Sequence, residues 1–377
     1  MGYISASPKG IFPFSINFQT GRCVMSEEKL RFFDLSPSEF REILARNGFP
    51  GFRASQVRRW VFSRKTDSFG EMTDISKPDR AKLISLFGET VFSGKLAAET
   101  TSGDGTKKIL IEWPDGHRVE AVLLRDERDH RTGCVSTQVG CAMGCRFCAS
   151  GLDGFVRNLS RGEILEQIVR LNALLDEPLR LTHLVIMGTG EPTLNLDALL
   201  PALAEATSPD GLDIGNRRVT ISTVGIPGGI DKMTAADLPY KLAVSLHAAD
   251  DRTRSEIIPQ NRFFGIRPIL AAAERYFQKT GRRVTFEYIL IAGVNDSAAD
   301  ARRLTDLLNR KTAIVNIIPY NPVPELPWKT PSTRATLAFV RALEEGGIQV
   351  KVRFRKGDGI NAACGQLRRS YRAPEEE

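Results

Sequence analysis

The sequence predicts an α/β protein whose main body is an open, partial (β/α)6 barrel, preceded by a small helical N-terminal domain and a β-hairpin linker. Three observations predict it. Six short runs rich in Val and Ile alternate with helical stretches between residues 134 and 345, which implies parallel strands buried on both faces beneath outer helices. Ahead of them, two β-rich runs flank Pro114-Asp115-Gly116, a hairpin signal. Earlier still, the apolar period is that of helices. Six units are too few for a closed eight-stranded barrel, so ligand groups are expected at the carboxyl ends of strands in an open one.

Residues 1–25 read as a flexible tail or an over-long start, since Met25 opens a more ordinary beginning and no cationic start precedes an apolar block. In the helical domain, placed at 26–95, Ser36-Pro37-Ser38-Glu39 starts one helix, Ala54–Phe62 forms a second and Arg80–Phe87 a third. The second carries Arg58, Arg59 and Trp60 and runs into Arg64 and Lys65. Such a module suits RNA, and equally the ordinary charged face of a bundle. Lys107–Trp113 and Arg118–Leu124 make the hairpin, within a linker at 96–126. The barrel occupies 127–367, with strands at Cys134–Val139, Leu184–Gly188, Arg218–Val224, Leu242–His247, Val284–Ile291 and Ile314–Tyr320. Its helices are Arg161–Leu175, Leu196–Thr207, a short one near Ile230, Pro268–Lys279, Ala298–Asn309 and Ser332–Glu345, the first opened by a Ser160/Glu163 capping box. A last strand, Gln349–Phe354, leads into a Gly-rich loop and a polar tail from 368.

The composition, 42% apolar and 26% charged with a net charge of +7, is that of a soluble globular protein with a mild basic excess. No apolar run approaches the roughly 18 residues of a spanning helix. Of six cysteines, three fall within eight residues, which suits metal ligation better than a disulfide framework and points to a reducing cytoplasm.

Those three lie in Gly140-Cys141-Ala142-Met143-Gly144-Cys145-Arg146-Phe147-Cys148, spaced C-x3-C-x2-C. Thiolates suit iron–sulfur clusters or zinc. Structural zinc takes four closed ligands, whereas three leave a position open for an exogenous chelator. A zinc knuckle recruiting Cys134 as the fourth ligand, in a non-catalytic RNA-binding protein, is the other reading. Met187-Gly188-Thr189-Gly190-Glu191-Pro192 ends the second strand, where glycines permit close backbone approach to a ligand and a carboxylate accepts from an ammonium group. Ser222, Ser245-Leu246-His247 and Asn321 hold corresponding strand-end places, where each is otherwise an ordinary polar end or turn. Glu120 on an alternating strand reads as solvent-facing, and Cys134 and Cys364 alone read as buried small residues.

The cysteine motif after a first barrel strand, with Phe147 before its last cysteine, looks like the signature of the radical S-adenosylmethionine superfamily. The resemblance implies one [4Fe–4S] cluster per chain on Cys141, Cys145 and Cys148, with S-adenosylmethionine chelating the free iron. Gly190 and Glu191 resemble the element that binds the cofactor's amino group, and Ser222, Ser245, Leu246, His247 and Asn321 are carried over as further cofactor contacts. Cys134-Val135-Ser136-Thr137-Gln138-Val139-Gly140-Cys141, Gly154-Phe155-Val156-Arg157-Asn158-Leu159 and Ala363-Cys364-Gly365-Gln366-Leu367 resemble the RlmN/Cfr family of RNA adenine methyltransferases, over roughly Leu35 to Leu367. Thr189 stands where family members usually carry Met, and Lys356-Gly357-Asp358-Gly359 where they more often read Arg-Gly-x-Asp.

The family resemblance implies a reaction. Cys364 takes a methyl group from one cofactor molecule. A second is reduced by the cluster to a 5′-deoxyadenosyl radical, which draws hydrogen from that methyl. The carbon radical adds to adenine, Glu120 handles the ring proton, and Cys134 attacks the Cys364 sulfur to release product as a transient disulfide. Two cofactor molecules are used per turnover, with electrons from a donor such as flavodoxin or ferredoxin. The implied substrates are an adenosine of 23S rRNA near the peptidyl-transferase centre and one beside the anticodon of tRNAs, drawn out of its stack. Gly190-Glu191-Pro192 and residues 154–159 look more like the carbon-2 branch than the carbon-8 branch. The N-terminal helices and the arginines from Arg353 to Arg372 are the expected phosphate contacts, and the chain is expected to be a cytoplasmic monomer.

Overall fold

The computed structural model describes residues 29–353, 357 and 360–367. The expected tail at 1–25, most of the Gly-rich loop and the arginines beyond Arg353 lie outside the described residues.

Three helices form the N-terminal module: α1 (Pro37–Arg46), α2 (Arg53–Phe62) and α3 (Lys77–Phe87). The Ser36 hydroxyl accepts from the Glu39 amide at 3.2 Å while the Glu39 carboxylate accepts from the Ser36 amide at 2.8 Å, so two orphan donors close each other. Helix α3 starts three residues before the expected Arg80, because the Ser76 hydroxyl caps Asp79 and Pro78 fits the first turn. Inside, Phe32 meets Phe33 and Phe40 edge-on at 4.9 and 5.0 Å between centroids. Trp60 stays on the outer side, with the Arg64 guanidinium 4.1 Å above its ring.

The sheet begins with a strand the sequence does not announce, β1 (Lys95–Thr101), whose pattern of burial is weak. It pairs with β2 (Lys107–Glu112), and β2 with β3 (Arg118–Arg125), both antiparallel. The expected hairpin is therefore the middle of a meander. It runs on into β4 (Arg131–Cys134), which pairs antiparallel with β3 and parallel with the later strand at His183–Ile186. The expected first barrel strand, Cys134–Val139, is broken at this point. Val135 still donates to Val185, but the Ser136 amide turns away to Gln167 and the Ser136 hydroxyl donates to the Glu120 carbonyl. The chain then forms a separate pair, β5 (Gln138–Gly140) with β6 (Phe155–Asn158). Gly140 is required where they meet: its φ is +72°, and a Cβ would stand 1.8 Å from the Gly154 carbonyl oxygen.

The alternation beyond is as the pattern predicts. Helix α4 (Arg161–Ala173) leads to β7 (His183–Ile186), α5 (Leu196–Thr207) to β8 (Val219–Thr223), and α6 (Pro227–Ala235) to β9 (Lys241–Ser245). Two unexpected short helices, α7 (Asp251–Ile257) and α8 (Asn261–Phe264), precede α9 (Ile266–Thr280) and β10 (Val284–Leu290). The polar run from Asp250 hides α7, which is nucleated by Asp250 accepting from the Thr253 amide at 2.8 Å. Then follow α10 (Ala298–Leu307), β11 (Ala313–Pro319), α11 (Thr333–Glu345) and β12 (Gln349–Val352). The result is a mixed ten-stranded sheet in the order β1-β2-β3-β4-β7-β8-β9-β10-β11-β12, parallel from β4 onward. Among the described residues no helix is long and apolar enough to cross a membrane.

Module and barrel are bolted together at Glu205 of α5, which takes Arg58 from α2 on one carboxylate oxygen and Arg161 from α4 on the other. Removing either partner of such a buried group leaves an uncompensated charge.

Candidate active site

The strand ends converge on a cavity of about 160 Å³. The loop between β5 and β6 brings Cys141, Cys145 and Cys148 to one wall, and Gly190, Glu191, Ser222, Ser245 and His247 come from the ends of β7, β8 and β9. The C-terminal loop supplies Cys364. Several protein contacts brace the cysteine loop: the amides of Cys141, Arg146 and Ala149 donate to the carbonyls of Gly154, Ile257 and Gly365, while the Trp328 indole donates to the Arg146 carbonyl at 2.8 Å. Burial raises all three thiols, Cys141 to about 12, with repulsion from neighbouring thiols of the loop adding to the rise at Cys141 and Cys145 and repulsion from Cys364 adding to it at Cys148. Among the described residues no three His, Cys, Asp or Glu side chains form a single-ion site. Three soft thiols around a cavity, with hydroxyls and a carboxylate opposite, fit a cluster that shares an open position with a polar ligand.

Cys134 does not line this cavity. It borders an adjoining one of about 50 Å³ together with Cys148 and Cys364, and among the described residues it joins no group of three or more His, Cys, Asp or Glu side chains placed to hold a single zinc ion. Burial pushes the Cys134 thiol up to about 12, Cys364 adds to the rise, and Arg353 works against it. Glu120 is not solvent-facing. It is buried on the β3 face that carries Val122 and Leu124, with Lys108 Nζ 2.8 Å from its carboxylate and 3.4 Å from the Asn361 carbonyl of the Cys364 loop.

Glu191 is a hub. One of its oxygens accepts from the Thr193 amide and hydroxyl at 3.1 and 2.6 Å, and the other from the Val224 amide at 2.8 Å, tying the end of β7 to that of β8. Burial raises its carboxyl above the ordinary value against the pull of these bonds. The glycines beside it are needed for a reason other than the expected ligand approach. At Gly190, with φ +114°, a Cβ would lie 2.7 Å from Gln138 and Thr137, so the neighbouring chain itself demands glycine. Thr189 does not line the cavity itself; its hydroxyl lies 3.3 Å from that of Ser150, which does.

Ser222 and Ser245 face each other with hydroxyls 3.5 Å apart. His247 sits at φ +60°, and its Nδ1 accepts from the Ile289 amide at 3.1 Å, which leaves Nε2 to carry the proton. Burial lowers its pKa to about 3, so the ring is neutral. Two expected residues fall elsewhere. The Leu246 side chain is turned into the core, and only its backbone serves the site, through the carbonyl that accepts from Arg254. Asn321 lines a neighbouring open cavity, where its amide donates to the Cys364 carbonyl at 3.1 Å and steadies that loop.

Three residues escape the sequence reading. Arg254 is buried and donates to the carbonyls of Val224, Ser245 and Leu246 and to the Asn261 side chain, stitching two strand ends together. Glu287 is buried on β10 with Asn316 donating to it at 2.6 Å. Arg353, expected on RNA phosphate, turns inward instead, with Nη1 4.0 Å from Cys364 Sγ.

Comparison with known proteins shows what the chain is similar to. Residues 135–305 match the family model of the radical SAM superfamily, and residues 30–87 that of the ribosomal RNA large subunit methyltransferase N-terminal domain. A "Probable dual-specificity RNA methyltransferase RlmN" of Rhodopirellula baltica is 53% identical over 335 residues, 89% of this chain and 90% of that protein. A protein of the same name from Desulforamulus reducens is 43% identical over 93% of this chain and 99% of its own length. The crystal structure of a radical SAM methyltransferase from Sphaerobacter thermophilus superposes with a TM-score of 0.86 at 41% identity, covering 90% of this chain and 99% of that one.

Proposed function

This chain belongs to the RlmN family of radical S-adenosylmethionine RNA methyltransferases, and from that membership we propose that it methylates carbon 2 of one adenosine in 23S rRNA and of an adenosine beside the anticodon of tRNAs. The observation that carries the reading is the position of Cys364, a thiol on the wall of the three-cysteine cavity that also borders the cavity of Cys134. Carbon 2 of adenine is a poor nucleophile, and a covalent relay through a cysteine divides its methylation into feasible steps.

Bound on Cys141, Cys145 and Cys148, one [4Fe–4S] cluster with S-adenosylmethionine supplies the one-electron chemistry that makes a hydrogen atom removable from a methyl group. The chain's own residues do the rest. Glu191 sets a negative potential opposite the thiols that draws the cofactor's ammonium group, and the Ser222 and Ser245 hydroxyls hydrogen-bond beside it. Neutral His247 offers Nε2–H as a donor. Cys364 receives the methyl group, and its loop is held in place by Asn321. Glu120, paired with Lys108, handles the ring proton. Cys134 resolves the adduct by attacking the Cys364 sulfur. Two cofactor molecules are consumed per turnover, with electrons from a carrier such as flavodoxin or ferredoxin, in a cytoplasmic monomer.

Mass spectrometry of nucleosides from 23S rRNA and tRNA, with and without the anaerobically reconstituted enzyme, tests this. The expected product is 2-methyladenosine in both RNAs. An 8-methyl product without the 2-methyl one overturns the assignment.

A further inference from the structure

Three adjoining cavities meet at two side chains. The cavity of the cysteine loop, the small one beside Cys134 and an open one of about 580 Å³ bounded by the segment from Leu124 to Thr132 are all lined by Cys364 and by Arg353. Arg353 follows β12 and is held there by its amide, which donates to the Ile317 carbonyl at 2.8 Å. Its Nη1 lies 3.7 Å from Met187 Sδ and 4.0 Å from Cys364 Sγ. Glu287 lines the first of these cavities beside it.

We propose that Arg353 is a charge-positioning residue for both cysteine steps, holding the Cys364 sulfur as an anion when it takes the methyl group and easing the attack of Cys134 when product is released. The proposal rests on the roles given above to Cys364 and Cys134. Only the thiolate is a competent nucleophile, and an anion on the half-buried Cys364 sulfur is favoured by a nearby cation. Arginine suits the place because it stays charged when buried and its planar fork spans two acceptors at once. The electrostatics agree: the Arg353 pKa is raised first by Cys364, then by Glu287 and Cys134, against the effect of burial.

Both steps balance without a further reactant. In the first, the Cys364 thiolate forms its bond to the methyl carbon as the sulfonium C–S bond breaks, and the bonding pair leaves on the neutral thioether. In the last, the Cys134 sulfur bonds to the Cys364 sulfur and the Cys364 S–C bond breaks with its pair on carbon. The proton lost by the Cys134 thiol ends on that carbon as the third methyl hydrogen, so two sulfurs are oxidised and one carbon is reduced.

The test uses the full chain with its cluster reconstituted anaerobically, in wild-type, Arg353→Met and Arg353→Lys forms, with iron per chain as the folding control. Methylation of Cys364 is read by peptide mass spectrometry and covalent RNA–protein adduct on denaturing gels. A lost charge-assisted contact corresponds to about tenfold to hundredfold. Arg353→Met is expected to slow Cys364 methylation by that factor and to accumulate adduct even though Cys134 is intact. Arg353→Lys is expected to restore most of both. A purely structural role would lower methylation and adduct together, with no rescue by lysine, and that result overturns the proposal. Wild-type rates in Arg353→Met overturn it as well. If Arg353→Met fails to load iron, Arg353→Gln replaces it, and failure of both to load shows Arg353 to be structural and ends the proposal. Should Cys364→Ala still methylate RNA, the underlying reading of Cys364 fails instead, which separates the two.

Discussion

Replacing Arg254 with Met should damage the cofactor site from within the protein. The guanidinium donates to the carbonyls of Val224 at 2.5 Å, Leu246 at 2.9 Å and Ser245 at 3.1 Å, and to Asn261 Oδ1 at 2.6 Å. A buried acceptor stripped of its donor costs about 1–3 kcal/mol. Ser245 and Val224 both border the cavity, so water can take over there. Leu246 and Asn261 are buried and have no such recourse. Working the other way, burial holds the Arg254 pKa down to about 10, a sign that its charge is poorly solvated, and deleting it recovers part of that cost. The two orphaned acceptors outweigh the recovery, and the net loss should be about 1–4 kcal/mol. Because the Val224 amide is also the donor that fixes Glu191, the damage should reach the ligand. Urea denaturation and titration calorimetry of S-adenosylmethionine on the reconstituted protein read both effects. Arg254→Lys should rescue little, since an ammonium cannot serve four acceptors in this fork geometry. Arg262→Met, at an exposed arginine lying over Phe263, is the control and should stay within about 0.5 kcal/mol. Wild-type midpoint and affinity in the Arg254→Met protein would refute the reasoning.

Two further outcomes follow from single residues. Cys134→Ala should leave RNA joined to the protein through Cys364, seen as a slow-migrating band that thiols do not release, and normal turnover in that variant would remove Cys134 from the mechanism. Glu205→Gln leaves Arg58 and Arg161 facing a neutral amide at a buried junction, at a cost of about 3–5 kcal/mol. Limited proteolysis should then detach the N-terminal module before the barrel is cut, and an unchanged cleavage pattern would count against the bolt.

What could be read from the sequence was local. Ser36 with Glu39 and Ser160 with Glu163 announce helix starts three residues apart, and both capping boxes form. The spacing of Cys141, Cys145 and Cys148 is a property of one short loop, and the Val- and Ile-rich runs mark strands buried on both faces. The first barrel strand misled because the Val135-Ser136 step looks β-like, and only Gln167 of α4 and the Glu120 carbonyl, 31 and 16 residues away, pull Ser136 out of line. Gly190 shows the same limit: the glycine was visible, but not that Thr137 and Gln138 pass behind it.

The residues that organise the chemistry were hidden for one physical reason: their partners are set by strand register, which no local pattern encodes. Glu287 sits in Thr285-Phe286-Glu287-Tyr288, a plain strand run, and gains its place because parallel pairing of β10 with β11 sets Asn316 opposite it. Arg254 lies in a polar stretch that reads as loop, yet two of its carbonyl partners belong to residues at the end of β9 and a third follows β8. Arg353 is one of many arginines in a basic C-terminal stretch, and solvent is the default expectation for each of them. Pairing of β12 with β11, extended by the Arg353 amide on Ile317, carries this one inward to the Cys364 sulfur.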